Sequence, residues 1–389
     1  MKKFNWFLFI AVSAIIVSCS DDPAEPDVPV VIPAQRTVIA ILDGNNTLNT
    51  NLSDDILEME TGSKKLSPTT NLVIFANIQG QKPYIAEMVD GKKTKVREWD
   101  KTFITTDPDT LLSVMQWIVE KYPANEYGII FGGHGTGNIV KKDTISTTLR
   151  PAYAYGWDYR SKTASDNIWI NIGTLGTVIS HLPRPKFIFF DCCLMQDIGV
   201  AGQLKKYTDY IIAPISETPD KGAPYDDITP LLTIADLEIM CDTLLTIYQT
   251  YCERTALPIC ISALRTYYVD DMQVKANAAL EEVKEKLQTV PPSYDLYENV
   301  IYYFRETDTA NPVLYDLKSF LYEQKEQGIL SEATYNDFVE AQQKCIFSSR
   351  KSDNWRNYRN RIHFSDFSVT AENFGGLSIN RETIEEILK

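Results

Sequence analysis

A chain of 389 residues with 52 acidic and 38 basic side chains carries a formal charge of −14. Such an excess of carboxylates argues against nucleic-acid binding, which needs a basic footprint, and disposes the surface toward cationic partners. The length allows one large core or two modest ones; seven cysteines without a C-x-x-C pair and three histidines do not make a disulfide framework or a zinc site.

The first residues read as a targeting segment outside the fold. Lys2 and Lys3 precede an apolar run from Trp6 to Val17 that is too short to span a membrane comfortably. Ile16-Val17-Ser18-Cys19 resembles a bacterial lipobox, which implies removal of residues 1–18 and lipidation of Cys19. An ordinary cleaved signal peptide with an incidental cysteine is the plainer alternative. Ser20-Asp21-Asp22 resembles the acidic export signal of surface lipoproteins in Bacteroidetes-type bacteria. Residues 19–35 carry Pro23, Pro26, Pro29 and Pro33 among acids and read as an extended tether.

Arg36 to Leu42 is a buried strand closed by the turn residues Asp43-Gly44-Asn45-Asn46. A helix is expected over Leu48 to Met59 and a second strand over Asn71 to Asn77. Lys82 to Val96 reads as a hairpin turning at Asp90-Gly91. Thr106 is placed to cap a helix that begins near Pro108 and runs to about Tyr122. The strand Tyr127 to Phe131 follows, then a long polar stretch from Asn138 to Asn167 that reads as one loop. Ile168 to Leu182 is strand plus helix, and Phe187 to Phe190 is a short aromatic strand. A helix over Asp197 to Lys206, a strand over Tyr210 to Pro214, a loop over Ser216 to Asp227, a helix over 234–254 and a strand over Leu257 to Ser262 complete the alternation. This pattern defines an α/β core at 36–265 with a mostly parallel sheet flanked by helices. Residues 266–389 read as a mainly helical part packed on it (270–288, 314–327, 332–347), with a closing strand near Gly376 to Ile379.

Two strand ends carry the chemistry. Phe131-Gly132-Gly133-His134-Gly135-Thr136-Gly137 puts an imidazole just past one strand, and Phe190-Asp191-Cys192-Cys193 puts thiols just past another. Open α/β sheets place their sites at that edge, and an imidazole beside a thiol is the minimum for a cysteine nucleophile. His181 stands at a helix end before Leu182-Pro183 and reads as structural; His363 has no nucleophile beside it in sequence. Strand alternation leaves open which of Cys192 and Cys193 faces a cleft, and a buried inert cysteine is the bland reading. Asp191 ends an apolar strand, an expensive position unless it is paired or solvated. It therefore belongs at a cleft, where it can receive a cationic side chain, or in a salt bridge.

Taken in order, these blocks resemble the clostripain-like cysteine peptidases, of the caspase, gingipain and legumain group. The resemblance rests on the first strand with Asp43-Gly44-Asn45-Asn46, on Thr106-Asp107-Pro108-Asp109-Thr110-Leu111, on Tyr122 to Tyr127, on His134-Gly135, on Phe190 to Met195, on Tyr207 to Tyr210 and on Gly376 to Ile379. It implies a caspase-like fold and a cysteine endopeptidase. The family's Asp-Ala-Cys-Leu-Met falls on 191–195, which makes Cys193 the nucleophile and puts Cys192 in the alanine position. It also implies that His134 protonates the leaving amine, that the backbone N–H groups of Gly135 and Cys193 hold the oxyanion, and that Asp191 lines a pocket for Arg or Lys. Glu217 or Asp220 is the candidate for a second acidic wall. Some relatives mature by cleavage between the His and Cys segments; Lys141, Lys142, Arg150, Arg160 and Lys162 offer sites for it here. Gly132-Gly133 and Cys192 depart from the family pattern. No cofactor is implied; calcium, which some relatives need, has no EF-hand motif here, and no metal ligands are assigned. The expected partners are peptides or proteins with basic residues, and a membrane reached only through lipid on Cys19, at the outer membrane or cell surface. The rival reading is a catalytically inactive binding lipoprotein that retains the fold; a redox role for Cys192–Cys193 is a third.

Overall fold

Apolar runs rich in β-branched and aromatic residues become inner strands because both of their faces can be covered. In the computed structural model, which describes residues 33–100, 103–138, 154–159, 167–289, 295–305, 310–353 and 369–389, the chain from 33 onward forms a single unit. It begins β1 (Ala34–Gly44), α1 (Asn49–Gly62), β2 (Thr70–Ile78), β3 (Tyr84–Val89), β4 (Lys92–Glu98), α2 (Pro108–Lys121) and β5 (Ala124–Gly132). Next come the short strands β6 (Gly135–Gly137), β7 (Ala154–Tyr159) and β8 (Asn167–Asn171), followed by α3 (Ile172–Ile179), β9 (Phe187–Asp191), α4 (Ile198–Leu204) and β10 (Tyr210–Pro214). α5 (Tyr225–Ile228), α6 (Leu237–Arg254), β11 (Cys260–Arg265) and α7 (Val269–Thr289) lead to β12 (Tyr302–Phe304), β13 (Leu314–Asp316), α8 (Leu317–Glu326), α9 (Glu332–Cys345), β14 (Ile346–Lys351), β15 (Ser378–Asn380) and α10 (Arg381–Leu388).

Nine strands form the main sheet in the order β14-β11-β10-β9-β5-β1-β2-β3-β4. The centre, β10-β9-β5-β1-β2, is parallel, and both edges are antiparallel. Alternate residues of the inner strands supply two apolar layers. Ile39, Ile41, Ile129, Phe131 and Ile188 pack with α2, α3, α4 and α7 on one face. Val38, Ala40, Ile130, Phe187 and Phe189 pack with α1, α5 and α6 on the other. The connections pass from the β2 side of β1 to its β5 side, so a topological switch lies between β1 and β5, the place where such sheets open a crevice.

The α/β architecture and the hairpin are as expected; Asp90 (φ 50°) and Gly91 (φ 71°) both take the left-handed conformation that a two-residue hairpin turn demands. Three features differ from the expectation. Asp107, not Thr106, caps α2, accepting from the Thr110 N–H at 2.9 Å, because Pro108 occupies the first helical position and places Asp107 just outside it. The polar stretch 138–167 is not all loop: β7 lies within it and pairs with β6 and β8. Past residue 265 the described residues supply, besides the expected closing strand (β15), three further strands, β12, β13 and β14. β14 joins the main sheet beside β11, while β12, β13 and β15 make a small sheet of their own. The main sheet therefore draws on both sides of the expected boundary.

Candidate active site

The carboxyl ends of β1, β5 and β9 are held level by their register, Leu42 against Gly132 and Gly132 against Asp191. The chain leaving β5 and the chain leaving β9 thus emerge side by side. The two exits also touch: a Cβ on Gly135 would lie 2.6 Å from the Cys193 carbonyl oxygen, and one on Gly137 (φ 50°) 2.0 Å from that of Leu194. Only glycine lets these backbones approach so closely.

His134 is partly exposed. Its Nε2 lies 2.9 Å from Thr47 Oγ1, and its ring rests on Trp157 with centroids 4.6 Å apart. Trp157 belongs to β7, stacks on Trp169, and donates its backbone N–H to Asp43 Oδ2 at 2.7 Å. Behind it Asp43 and Asp158 form a buried carboxyl pair. Burial and mutual repulsion push Asp43 well above its ordinary value, and burial pushes Asp158 up to about 6.

Cys193 sits on a tight turn past β9. Leu194 takes a left-handed conformation (φ 66°) that costs a non-glycine residue about 1 kcal/mol. Its N–H donates to the Ser216 carbonyl and that of Gln196 to the Pro214 carbonyl, so the turn is tied to the end of β10. The alternation left open by sequence is resolved here. The Cys192 thiol is fully buried and donates to the Phe131 carbonyl at 3.0 Å, whereas Cys193 is partly exposed. The Thr218 N–H lies 3.3 Å and its hydroxyl 3.4 Å from Cys193 Sγ. Burial pushes the Cys193 thiol up, opposed by Thr218 and reinforced by the charges of Glu217 and Asp191.

One cleft of about 180 Å³ is lined by His134, Cys193, Asp191, Thr218, Asp220 and Asp55 among others. Asp191 is buried; its Oδ2 accepts from the Ala223 N–H (2.9 Å) and Tyr225 hydroxyl (3.0 Å), and its Oδ1 from the Tyr248 hydroxyl (3.2 Å). Burial still raises its carboxyl, which these three donors oppose. Gly222, with φ 65°, crosses above it.

Of the two candidates for a second acidic wall, Asp220 lies exposed at the rim and Glu217 is half-buried beside the thiol. The second buried carboxylate is Asp55, which the sequence reading passed over. Its signal was an acid within the apolar stripe Leu52, Ile56, Met59 of α1. Thr47, Thr218 and Trp157 were also missed, since their roles come from contacts distant in sequence. His181 lies just past α3, outside the cleft, with its Nδ1 2.9 Å from the Thr177 carbonyl oxygen. Cys19, His363, Lys141, Lys142, Arg150, Arg160 and Lys162 lie outside the described residues. Among the described residues no group of three or more metal-ligating side chains converges, and no helix is long and apolar enough to cross a membrane.

A mostly parallel sheet of this order, with histidine and cysteine following neighbouring strands into one cleft, defines a caspase-like cysteine peptidase. The model of the clostripain family, peptidase family C11, matches residues 41–365, and the chain belongs to that family. Its substrates are accordingly peptides or proteins. A comparison with curated proteins found no match. Among solved structures, the chain is similar to an inactive zymogen C11 protease from Parabacteroides distasonis (TM-score 0.71, 20% identity, covering 92% of this chain and 95% of that one). It is also similar to a secreted C11 cysteine protease from Bacteroides thetaiotaomicron bound to an irreversible peptide inhibitor (TM-score 0.69, 22% identity, covering 90% and 94%). These likenesses show the fold.

Proposed function

We propose that the protein is an endopeptidase that cleaves after Arg or Lys through a Cys193–His134 dyad. One observation carries the reading: the imidazole, the thiol and the buried Asp191 carboxylate line the same cleft. The Cys193 thiol passes its proton to His134 as sulfur attacks the scissile carbonyl carbon. The oxyanion is held by the backbone N–H groups of Gly135 and Cys193. His134 then gives the proton to the leaving amine, and water, deprotonated by the same imidazole, hydrolyses the thioester and restores the thiol. Asp191 receives the basic side chain of the residue before the scissile bond, where charge-assisted hydrogen bonds fix the substrate for attack. Nothing in this chemistry calls for a cofactor.

Cys193→Ala should abolish hydrolysis of Arg and Lys fluorogenic peptides with the circular dichroism spectrum unchanged; unchanged turnover would remove Cys193 from the role. The lipobox-like segment supports export and lipidation at Cys19, with the enzyme held at the outer membrane or cell surface. Loss of radiolabelled-lipid incorporation in Cys19→Ala tests this. Basic residues in 138–167 support self-cleavage there, which predicts two fragments from the wild type and one intact chain from Cys193→Ala on a denaturing gel. The rival, an inactive binding lipoprotein, draws on the threonines that hold both side chains at rest. A thiol-reactive peptidyl-Arg probe separates the two: the dyad requires labelling of Cys193 that is lost in His134→Ala.

A further inference from the structure

The base of the cleft holds two buried carboxylates with unequal partners. An ionised carboxylate offers about four lone-pair sites, and Asp191 has three of them filled by Ala223, Tyr225 and Tyr248. Asp55 is just as deeply buried, 2% exposed, yet its Oδ1 accepts from nothing. Among the described residues no cation pairs with it, and neither Lys nor Arg lines the cleft. A buried carboxyl without a donor is expensive, and α1 gains nothing from it: Asp55 sits mid-helix, far from either cap, in an otherwise apolar stripe.

Gly222 shows where the two acids point. A Cβ placed on it would lie 2.9 Å from Asp191 Oδ2 and 3.2 Å from each oxygen of Asp55. The carboxylates therefore flank one small volume, and the loop crosses it with the residue that intrudes least.

We propose that Asp55 is a specificity-determining carboxylate of this pocket: it takes the cationic tip of the substrate's basic side chain directly, while Asp191, tied down by its donors, supplies one remaining lone pair and the surrounding negative field. This deepens the Arg/Lys reading of the cleft and rests on it.

The pocket's charges give the proposal a pH signature. Asp55 faces Asp191 from β9, the hydroxyls of Tyr225 and Tyr248 from α5 and α6, and Asp54 and Glu58 on its own helix; Asp220 lies at the rim. Burial first, then the charges of Asp191, Glu58 and Asp54, push the Asp55 carboxyl well above its ordinary value and so favour its neutral form before a cation enters. An entering guanidinium or ammonium reverses the balance, so a basic side chain expels the proton as it binds. Selectivity for a basic over a neutral side chain therefore rises with pH until Asp55 ionises unaided.

The test measures kcat/KM for a peptide pair that differs only in arginine or its neutral isostere citrulline before the scissile bond. Wild type, Asp55→Asn, Asp55→Glu and Asp191→Asn are compared from pH 5 to 9. Asp55→Asn should lower the Arg/citrulline ratio by about 10- to 100-fold and flatten its rise with pH. Asp55→Glu should restore part of the ratio. Asp55→Asn should also melt higher than wild type at pH 8, which a residue kept for structure would not do. A ratio within twofold of wild type in Asp55→Asn, with collapse in Asp191→Asn, overturns the proposal and leaves the Arg/Lys reading standing. A wild-type ratio near one overturns both. Should Asp55→Asn not fold, the wild-type profile decides: a ratio flat across the whole pH range overturns the proposal.

Discussion

In the middle of the sheet, Ile39, Ile41, Val73, Phe75 and Ile129 sit among hydrocarbon on one face and Val38, Ile74 and Ile130 on the other. At the carboxyl rim of the same strands, the buried side chains include Asp43, Asp55, Asp158, Asp191 and Asp197, with Cys192 and a left-handed leucine. Burial stabilises the first region and costs free energy in the second, where every one of those carboxyls is pushed up. The contrast teaches where to look for function: the rim holds groups that a fold chosen for stability alone would replace.

The largest effect should come from joining the two rim segments too tightly. Gly137→Ala drives a Cβ to 2.0 Å from the Leu194 carbonyl oxygen and forces alanine to φ 50°. The turn bearing Cys193 must then move relative to His134. A displacement near 1 Å costs about 100-fold in turnover, so kcat/KM should fall at least that far while a partly folded, meltable protein remains. Wild-type turnover would show that the contact between the two exits does not position the dyad.

Phe75→Ala probes the middle of the sheet. Phe75 is buried in the layer under α2 and meets Trp99 edge-on at 6.0 Å. Its loss should cost about 3–5 kcal/mol of stability, read as a lower denaturant midpoint, with kcat of the folded fraction near wild type. A drop in kcat as large as that of Gly137→Ala would erase the distinction between the regions.

The middle of the sheet was also the part most legible from sequence. Tyr210 to Pro214 is expected and observed with the same ends, and the runs at Val38, Val73, Ile129 and Phe187 fall in inner strands, because burial on both faces writes itself into continuous apolar stretches. The strand ends bearing His134 and Cys193 were legible for the same reason. Strand alternation could not choose between Cys192 and Cys193, since a turn orients them; the resemblance of 191–195 to the family motif made that choice. The closing strand β15 was legible near Gly376 to Ile379, whereas β12 and β13 are three residues each and leave little local pattern. Trp157 sits in a polar stretch whose strand forms only against β6 and β8. Asp55 was hidden by its type: an acid on a helix reads as solvated until the neighbouring Gly222 and Asp191 are seen.

Asp197 brings the cost of the rim into solution conditions. It caps α4, accepting from the Gly199 N–H at 2.8 Å and from Ser378, yet burial pushes it up to about 7. Unfolded, it ionises near pH 4. Its raised native value means that the native state keeps a proton the unfolded chain has lost. Its contribution is therefore complete below about pH 4 and lost as pH rises toward 7, on the order of 4 kcal/mol. Asp158, at about 6, adds to the same trend. The melting temperature should fall by several degrees from pH 5 to pH 8, and Asp197→Asn should flatten part of that slope. A wild-type slope of the opposite sign would refute the account of the buried acids.

The smallest effect tests whether an acid near the rim must be costly. Asp107 stands just outside α2, half-buried, and its Oδ2 accepts from both the N–H and the hydroxyl of Thr110 at 2.9 and 2.7 Å. A helix N-terminus welcomes negative charge, so this carboxylate stabilises where Asp55 and Asp191 do not. Asp107→Ala should cost about 1 kcal/mol, visible as a small drop in the denaturant midpoint. The Arg/citrulline ratio should not move, because Asp107 does not line the cleft. Thr106, next to it, serves a different group: its N–H donates to Asp158 Oδ2 at 3.0 Å. Thr106→Ala keeps that backbone donor and should cost less than Asp107→Ala. The reverse order of costs would return the cap to Thr106 and remove the one acid in this comparison whose burial is repaid locally.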